Sequence, residues 1–204
     1  MSTRSYVSPV RTAAAAEKRD RVIQAAARFL REEESIAAFS LDAVAKAADV
    51  TRLTVYNQFG SRRGLLEAVF DDIARRGRLI RLNDAMAEPD PWKGLRQLIQ
   101  IFCEFWGGDP AVGRLHDAMA IDPEFAQALL ERNERRRQSL QELVARIVGD
   151  AASPSVQRDT VDLIFALTSC AMFRMLSSNR TAKAISVLIN DASKAAIDRI
   201  ASAT

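Results

Sequence analysis

Residues 51–58, with the sequence TRLTVYNQ, concentrate hydrogen-bonding side chains in a segment that has few apolar groups to bury. Arginine can donate two hydrogen bonds to guanine, asparagine or glutamine can pair with adenine, and hydroxyl groups suit phosphate oxygens. Residue types of this kind on one short segment indicate DNA binding. The candidate DNA-binding residues are Ser40, Thr51, Arg52, Leu53, Thr54, Tyr56, Asn57, Gln58 and Arg62.

Two short helices joined by a tight turn are predicted to present these side chains. Ser40 and Thr51 are suitable N-caps for the two helices, and such a pair forms a helix-turn-helix. Ser61 can cap the next helix, so that Arg62 lies where the helix dipole favours a phosphate. The predicted contacts inside the unit involve Val44, Ala45, Ala48, Val50, Val55 and Phe59. The alternative is a buried three-helix subdomain that does not bind DNA.

The rest of the sequence predicts further helices and no strands. Four prolines directly follow Asp90, Asp109, Asp122 and Ser153, and proline is well suited to the first position of a helix. The predicted helices after residue 83 span about 91–106, 110–119, 123–148, 154–177 and 181–202. We therefore predict an all-α fold of about nine helices. Its predicted parts are a flexible arm (1–16), a helix-turn-helix domain that includes a linking fourth helix (17–82), and a helical C-terminal domain (83–204).

Positive charge is concentrated in the first part of the chain. Residues 1–82 hold 15 Lys and Arg against 10 Asp and Glu, whereas residues 83–204 hold 14 against 16. An uneven distribution of this kind favours an anionic partner for the first part alone. Chance is the other explanation.

Several classes of protein are disfavoured by the residues that the chain lacks. Cys103 and Cys170 stand alone, which is typical of buried thiols in a reducing compartment. The first residues contain no apolar signal segment, and the apolar run 163–176 is shorter than the ~20 residues of a membrane span. His116 is the only histidine and has no ligand partner at metal-binding spacing. We expect a cytoplasmic protein with no metal, no cofactor, no membrane partner and no enzymatic activity, since no nucleophile–base set, P-loop or GxGxxG is present.

The segment FSLDAVAKAADVTRLTVYNQFGSRRGLLEAV resembles the DNA-binding domain of TetR-family transcriptional regulators. The resemblance covers about residues 18–70. Members of that family usually have a threonine-leucine-tyrosine run, a phenylalanine three residues later, and then serine-lysine. The matching residues here are Thr54, Val55, Tyr56, Phe59, Ser61, Arg62, Leu65 and Leu66. The resemblance implies double-stranded DNA as a partner, and C-terminal helices used for dimerisation and ligand binding.

Three positions depart from the family pattern. Asp49 occupies the turn, where glycine is usual, and aspartate tolerates the left-handed backbone better than most residues. Leu53 stands where a small residue is common, which favours an apolar contact such as a thymine methyl group. The residues 62–64, Arg-Arg-Gly, replace a lysine followed by an acidic pair, so that the phosphate-binding charge is kept.

The C-terminal helices are predicted to form a homodimer. Residues 163–176 are apolar almost all round, so their helix must be covered on more than one face. A second copy can supply this cover in a four-helix interface across a two-fold axis. The predicted interface residues are Leu163, Leu167, Cys170, Ala171, Arg174, Ile185, Leu188 and Ala192. The alternative is a central helix in a monomeric bundle.

Large apolar and aromatic residues in the C-terminal domain are candidates for a small-molecule effector pocket. They are Phe102, Phe105, Trp106, His116, Met119, Phe125 and Met172. Such residues suit an apolar or aromatic ligand, but residues of these types at helical spacing also form ordinary cores. The charged run ERNERRR at 131–137 is predicted to be the solvated face of a long helix, supported by Glu–Arg pairs three and four residues apart.

The predicted function is that of a sequence-specific transcriptional regulator. We expect a dimeric repressor that is released from a palindromic operator by a small, largely apolar effector. The alternative is an architectural DNA-binding or adaptor protein that needs no effector.

Overall fold

The computed structural model describes residues 9–33, 35–149 and 152–201, and over these ranges the fold is all-α, as predicted. It has eleven α-helices in these ranges, slightly more than the nine expected, together with two 3-10 turns at Ile36–Ala38 and Leu79–Arg81. The helices are α1 (Pro9–Glu32), α2 (Leu41–Ala47), α3 (Arg52–Phe59), α4 (Arg62–Arg76), α5 (Leu82–Ala87), α6 (Pro91–Gly108), α7 (Ala111–Ala118), α8 (Pro123–Val148), α9 (Pro154–Leu167), α10 (Cys170–Leu176) and α11 (Ala182–Ala201).

The helix starts predicted from the four prolines are confirmed. Three of the preceding residues are aspartates whose carboxylates accept hydrogen bonds from backbone N–H groups of the first turn. The Asp90 carboxylate accepts from Trp92 at 2.9 Å, and the Asp122 carboxylate accepts from Phe125 at 3.0 Å. These bonds satisfy donors that a helix start leaves without a partner.

Two predicted helices are shorter than expected. The predicted helix 154–177 breaks at Thr168, whose hydroxyl donates back to the carbonyl of Ile164 at 2.9 Å. Ser169 then caps α10 by accepting from the N–H of Met172 at 3.1 Å. The linking helix was expected to extend to residue 82 but ends at Arg76, because Arg78 adopts a left-handed backbone with φ of 56°.

The expected flexible arm is wrong for residues 9–16, which form the beginning of α1. Residues 1–8 of that arm lie outside the described residues. The run 13–16 consists of alanine, which has the highest intrinsic helix propensity of any residue type, so this part can be helical without burying an apolar face.

Two connected hydrophobic clusters form the core. The first joins α1–α4 to α7 and to the beginning of α8, and the second joins α5, α6, α8, α9 and α11. Phe105 of α6 belongs to the first cluster and meets Phe70 of α4 edge to face, with ring centroids 5.9 Å apart. Helix α4 is therefore in direct contact with the C-terminal helices.

Both cysteines are buried free thiols, as predicted. Burial raises the pKa of Cys103 to about 12 and that of Cys170 to about 11, so both thiols are protonated near neutral pH. Within the described ranges, no helix is long and apolar enough to cross a membrane.

Candidate nucleic-acid interface

Helix α3 has few buried side chains and exposes most of its surface to solvent. Val55 is its fully buried side chain, in the core formed with α1, α2 and α4. Leu53 and Tyr56 are 64% and 55% exposed, and Arg52 and Asn57 are also exposed. The structure thus brings four of the candidate DNA-binding side chains together on the outer face of one short helix.

The beginning of α3 is fixed by two threonines. The Thr51 hydroxyl accepts a hydrogen bond from the N–H of Thr54 at 3.1 Å, and the two hydroxyl oxygens lie 2.9 Å apart. One hydroxyl hydrogen of the pair is used in this contact, which leaves the other hydrogen available for an external acceptor. A phosphate oxygen is a suitable acceptor at this position.

The turn between α2 and α3 is formed without glycine. Asp49 has φ of 52°, in the left-handed region, and the N–H of Val50 bonds to the carbonyl of Ala45 at 3.0 Å. The expectation that aspartate supports this turn is confirmed. Val44, Ala45 and Ala48 are buried between the two helices, so that α2 and α3 pack closely.

Arg52 is held only loosely. Its guanidinium lies 3.6 Å from the carboxylate of Asp42, and both side chains are about two-thirds exposed, at 68% and 66%. An exposed pair of this kind contributes little to stability. Arg52 is therefore free to leave Asp42 for a base edge or a phosphate.

Gln58 is less accessible than its position in the sequence suggested. Its side-chain oxygen is buried without a hydrogen-bond partner, and its backbone carbonyl accepts from Arg19 of α1 at 3.2 Å. The Arg19 guanidinium also lies 4.4 Å from the centre of the Phe59 ring. This support of α3 by Arg19 was not predicted, because Arg19 lies in a charged run of α1 with no distinguishing pattern.

Ser40 and Arg62 both have partners within the protein. Ser40 is half-buried and caps α2 by accepting from the N–H of Ala43 at 3.1 Å. Arg62 is half-buried, donates to the carbonyl of Ile36 at 3.3 Å and lies over the ring of Phe39. Its Nε is buried without a partner. Arg62 thus braces the turn before α2 and must rearrange to reach a phosphate.

The candidate effector residues do not all line one cavity. A cavity of about 600 Å³ lies between α4, α6 and α8, and Phe102, Phe105 and Trp106 line it. Phe125 does not line this cavity and is completely buried in the first core cluster, so its assignment to a pocket is corrected to core. The other three, His116, Met119 and Met172, are half-buried and lie outside the lining of this cavity. The pKa of His116 is lowered mainly by burial and to a smaller extent by the positive charge of nearby Arg136.

The candidate dimer residues divide into exposed and buried groups. Leu163 and Leu188 are 41% and 42% exposed, and Ala171 and Arg174 are also exposed. Cys170 and Ile185 are instead 2% and 0% exposed, because they point into the core of their own chain. Their assignment to an interface is therefore corrected. The remaining two, Leu167 and Ala192, are half-buried.

Two apolar residues that were not predicted extend the exposed set. Val156 of α9 is 40% exposed and Val187 of α11 is 54% exposed. Val156 and Leu163 are seven residues apart and share a helix face. In the sequence, Val156 and Val187 are apolar residues at helical spacing. That pattern does not show whether a helix face points outward or into the core.

Comparisons with known proteins match both parts of the chain. The profile of bacterial regulatory proteins of the tetR family matches residues 23–69, and that of the tetracyclin repressor-like C-terminal domain matches residues 89–200. The HTH-type transcriptional regulator EthR of Mycolicibacterium smegmatis is 32% identical over 113 residues, which span 54% of this chain and 52% of EthR. The match therefore extends over about half the length of that relative.

Solved structures share the fold. NalD, the secondary repressor of the MexAB-OprM multidrug efflux pump in Pseudomonas aeruginosa, superposes with a TM-score of 0.65 at 19% identity, over 89% of this chain and 97% of NalD. A transcriptional regulator from Rhodococcus sp. Rha1 superposes with a TM-score of 0.65 at 14% identity, over 89% of this chain and 95% of the other.

Proposed function

This chain belongs to the TetR family of bacterial regulatory proteins, and we propose that it is a dimeric transcriptional repressor that reads DNA with α3. The observation that supports this most is the exposure of Arg52, Tyr56 and Asn57 on a helix anchored by one buried valine. Arginine and asparagine are the side chains that discriminate guanine and adenine in the major groove. The role is binding, not catalysis, and it is exercised on chromosomal DNA in the bacterial cytoplasm.

A dimer is part of the proposal because one short helix reads only a few base pairs. Two copies of α3 that lie about 34–36 Å apart meet successive major grooves on one face of the duplex. Exposed apolar residues on α9 and α11, such as Leu163 and Leu188, provide a surface for a second copy. A two-fold axis through that surface implies an operator with inverted half-sites.

Regulation by a small molecule is proposed to act through α4. Phe70, Asp71 and Ala74 of α4 form part of the wall of the cavity between α4, α6 and α8. Because α4 directly follows α3, a shift of α4 at the cavity wall also moves α3. A complete switch in operator occupancy needs a difference of about 5.5 kcal/mol in ligand affinity between the two states.

Binding of the purified protein to the DNA upstream of its own gene tests this function. We expect specific binding over scrambled DNA of the same length, with a protected region over two symmetric half-sites. Affinity should fall steeply with salt, because cationic side chains displace counterions from phosphates. Equal affinity for both DNAs at every salt concentration would favour an architectural role, and no binding at low salt would contradict DNA binding altogether.

A further inference from the structure

Arg136 of α8 is a buried cation without a counter-charge. The residue is 5% exposed, and its Nε is buried without a hydrogen-bond partner. One of its terminal nitrogens donates to the carbonyl of Thr168. In the described part of the chain, no carboxylate forms an ion pair with it. An unpaired buried charge is strongly unfavourable, so its presence requires an explanation.

The surroundings of Arg136 are aromatic. Its guanidinium carbon lies 4.3 Å from the centre of the Phe165 ring, 5.4 Å from that of Phe102 and 6.0 Å from that of Trp106. Cation–π contacts stabilise the charge in part but do not neutralise it. Burial lowers the pKa of Arg136 to about 10, which still leaves it positively charged at neutral pH.

The hydrogen bond to Thr168 does not explain the arginine. The indole N–H of Trp106 already donates to the Thr168 carbonyl at 3.0 Å. That carbonyl would therefore remain hydrogen-bonded if Arg136 were replaced by an apolar residue. This hydrogen bond therefore does not require a positive charge at position 136.

Arg136 lines the 600 Å³ cavity between α4, α6 and α8. Arg132 and Arg135 also line it, whereas Asp71 is the one acidic residue among the described residues of its lining. Asp71 is already paired with Arg132 at 2.9 Å. The cavity thus combines an excess of positive charge with apolar walls that include Phe102 and Phe105, which is the chemistry of a site for an apolar molecule with an anionic end.

We propose that this cavity binds an amphipathic carboxylate, with the carboxylate on Arg136 and the apolar body against Phe102 and Phe105. The inference rests on the proposed function, because it assigns this ligand class to the effector of the repressor. It refines the expectation of a largely apolar effector by adding the negative charge that Arg136 requires.

Arg132 connects the cavity to α4, the helix that directly follows α3. Besides Asp71, it lies 3.5 Å from the carboxylate of Glu67, which in turn accepts from Arg63 near the beginning of α4 at 2.6 Å. Arg132 lies one turn before Arg136 on the same face of α8 and also lines the cavity, so a carboxylate bound to Arg136 comes close to Arg132 and competes for it with Asp71 and Glu67. This competition weakens the salt bridges between α8 and α4. Because α4 directly follows α3, the bound acid should lower the affinity for the operator.

The test compares acids with neutral molecules of the same shape. The probes are decanoate with 1-decanol and 4-phenylbutyrate with 4-phenylbutan-1-ol, added to the DNA-free full chain at pH 7.5. Binding is followed by calorimetry and by tryptophan fluorescence, to which Trp106 of the cavity wall contributes. At least one acid should bind roughly 10- to 100-fold more tightly than its alcohol, as a charged hydrogen bond implies.

Two variants locate the charge that selects the acid. Arg136→Met should abolish the preference for acid over alcohol. Arg137→Met is the matched control, because Arg137 is the next residue on α8, pairs with Asp162 and does not line this cavity. It should keep the preference. Arg136→Met should also melt at an equal or higher temperature than the wild type, since it removes an uncompensated buried charge.

Equal binding of acid and alcohol to the wild type, no binding of either acid, or a lower melting temperature for Arg136→Met would overturn the proposal. The wild-type comparison does not depend on the folding of any variant. Operator binding measured without ligand keeps the two hypotheses separate. Normal operator binding without acid binding refutes the ligand class alone, and acid binding without operator binding refutes the repressor function alone.

Discussion

Arg31 and Asp109 form a bidentate salt bridge between α1 and the beginning of α7. The Arg31 Nε donates to one carboxylate oxygen at 2.9 Å, and a terminal nitrogen donates to the other at 2.6 Å. Asp109 also accepts from the N–H of Ala111 at 3.0 Å. One carboxylate therefore begins α7 and joins it to the helix that supports α3, which connects the DNA-binding unit to the C-terminal domain.

The salt bridge predicts how stability depends on pH. Burial raises the pKa of Asp109, but hydrogen bonds from Arg31 and Ala111 outweigh this effect, so the pKa lies below its ordinary value. A lowered folded-state pKa stabilises the protein above the unfolded pKa of about 3.9, and this contribution is lost as the pH falls through the folded value. Asp109→Asn should cost about 1–3 kcal/mol at pH 7. In urea denaturation experiments between pH 7 and pH 3.5, the difference in free energy of unfolding between Asp109→Asn and wild type should become smaller as the pH falls.

Asp42→Asn is the control for this measurement, because Asp42 is 66% exposed and only loosely paired. It should change the free energy of unfolding by less than about 0.5 kcal/mol at pH 7. A cost for Asp109→Asn that stayed constant across the pH range would contradict the assignment.

Arg52→Ala and Asn57→Ala should each reduce base discrimination. Both side chains are exposed on α3 and support no core packing, so the variants should fold normally. Each should lose roughly 1–3 kcal/mol of the difference between the operator and operators with single base changes. Fluorescence anisotropy with a set of single-substitution duplexes measures this difference. If affinity fell by the same factor for every duplex, these residues would not read bases.

Arg62→Ala should weaken binding to all sequences alike. If Arg62 leaves the Ile36 carbonyl to contact a phosphate, its removal flattens the slope of log affinity against log salt by about one unit. Arg62→Lys, which keeps the charge, should retain the slope. An unchanged slope in Arg62→Ala, with the variant fully folded by circular dichroism, would assign Arg62 to bracing alone.

Gly64→Ala should destabilise the junction between α3 and α4. A Cβ at this position would collide with the backbone carbonyl oxygen of Phe59, which cannot move without displacing the end of α3. A cost of about 1–3 kcal/mol is expected. Gly108→Ala is the control, because a Cβ there meets no atom within 4 Å. Thermal unfolding that showed equal stability for both variants would contradict the close contact.

Leu163→Arg and Leu188→Arg should convert a dimer into a monomer. Both leucines are about two-fifths exposed on α9 and α11, and a buried unpaired arginine at an interface is strongly unfavourable. Light scattering after gel filtration measures the mass. Leu130→Arg, on the outer face of α8 where Leu130 is 52% exposed, should leave the mass unchanged. A wild-type protein that ran as a monomer at every concentration would rule out this interface.

The features that depend on local sequence were predictable. Aspartates that cap the first turn and are followed by proline locate the beginnings of α6 and α8, because the bonds that start a helix form within one turn. At α9 the proline alone gives the signal, since the Ser153 side chain makes no capping hydrogen bond. The break at Thr168 was not predicted, since the same apolar run would suit one continuous helix. The left-handed Arg78 was also not predicted, because arginine carries no signal for that conformation.

The orientation of charged residues was harder to predict. The run 131–137 was expected to be solvated, yet Arg136 is buried and Arg132 is half-buried against α4. A charge pattern identifies a helix face but does not say which face meets another helix. For the same reason Ile185 and Cys170 were assigned to an interface, although both belong to the core of their own chain.

Selection of bound duplexes from a random DNA library tests the central claim most directly, because the library contains every possible half-site. The expected result is enrichment of an inverted repeat whose half-site centres are about 10–10.5 base pairs apart or a multiple of that spacing. The Arg52→Ala protein should lose the preference at one position in each half-site. Enrichment of no sequence at all, or of an inverted repeat that Arg52→Ala and Asn57→Ala select unchanged, would contradict the reading of DNA by α3.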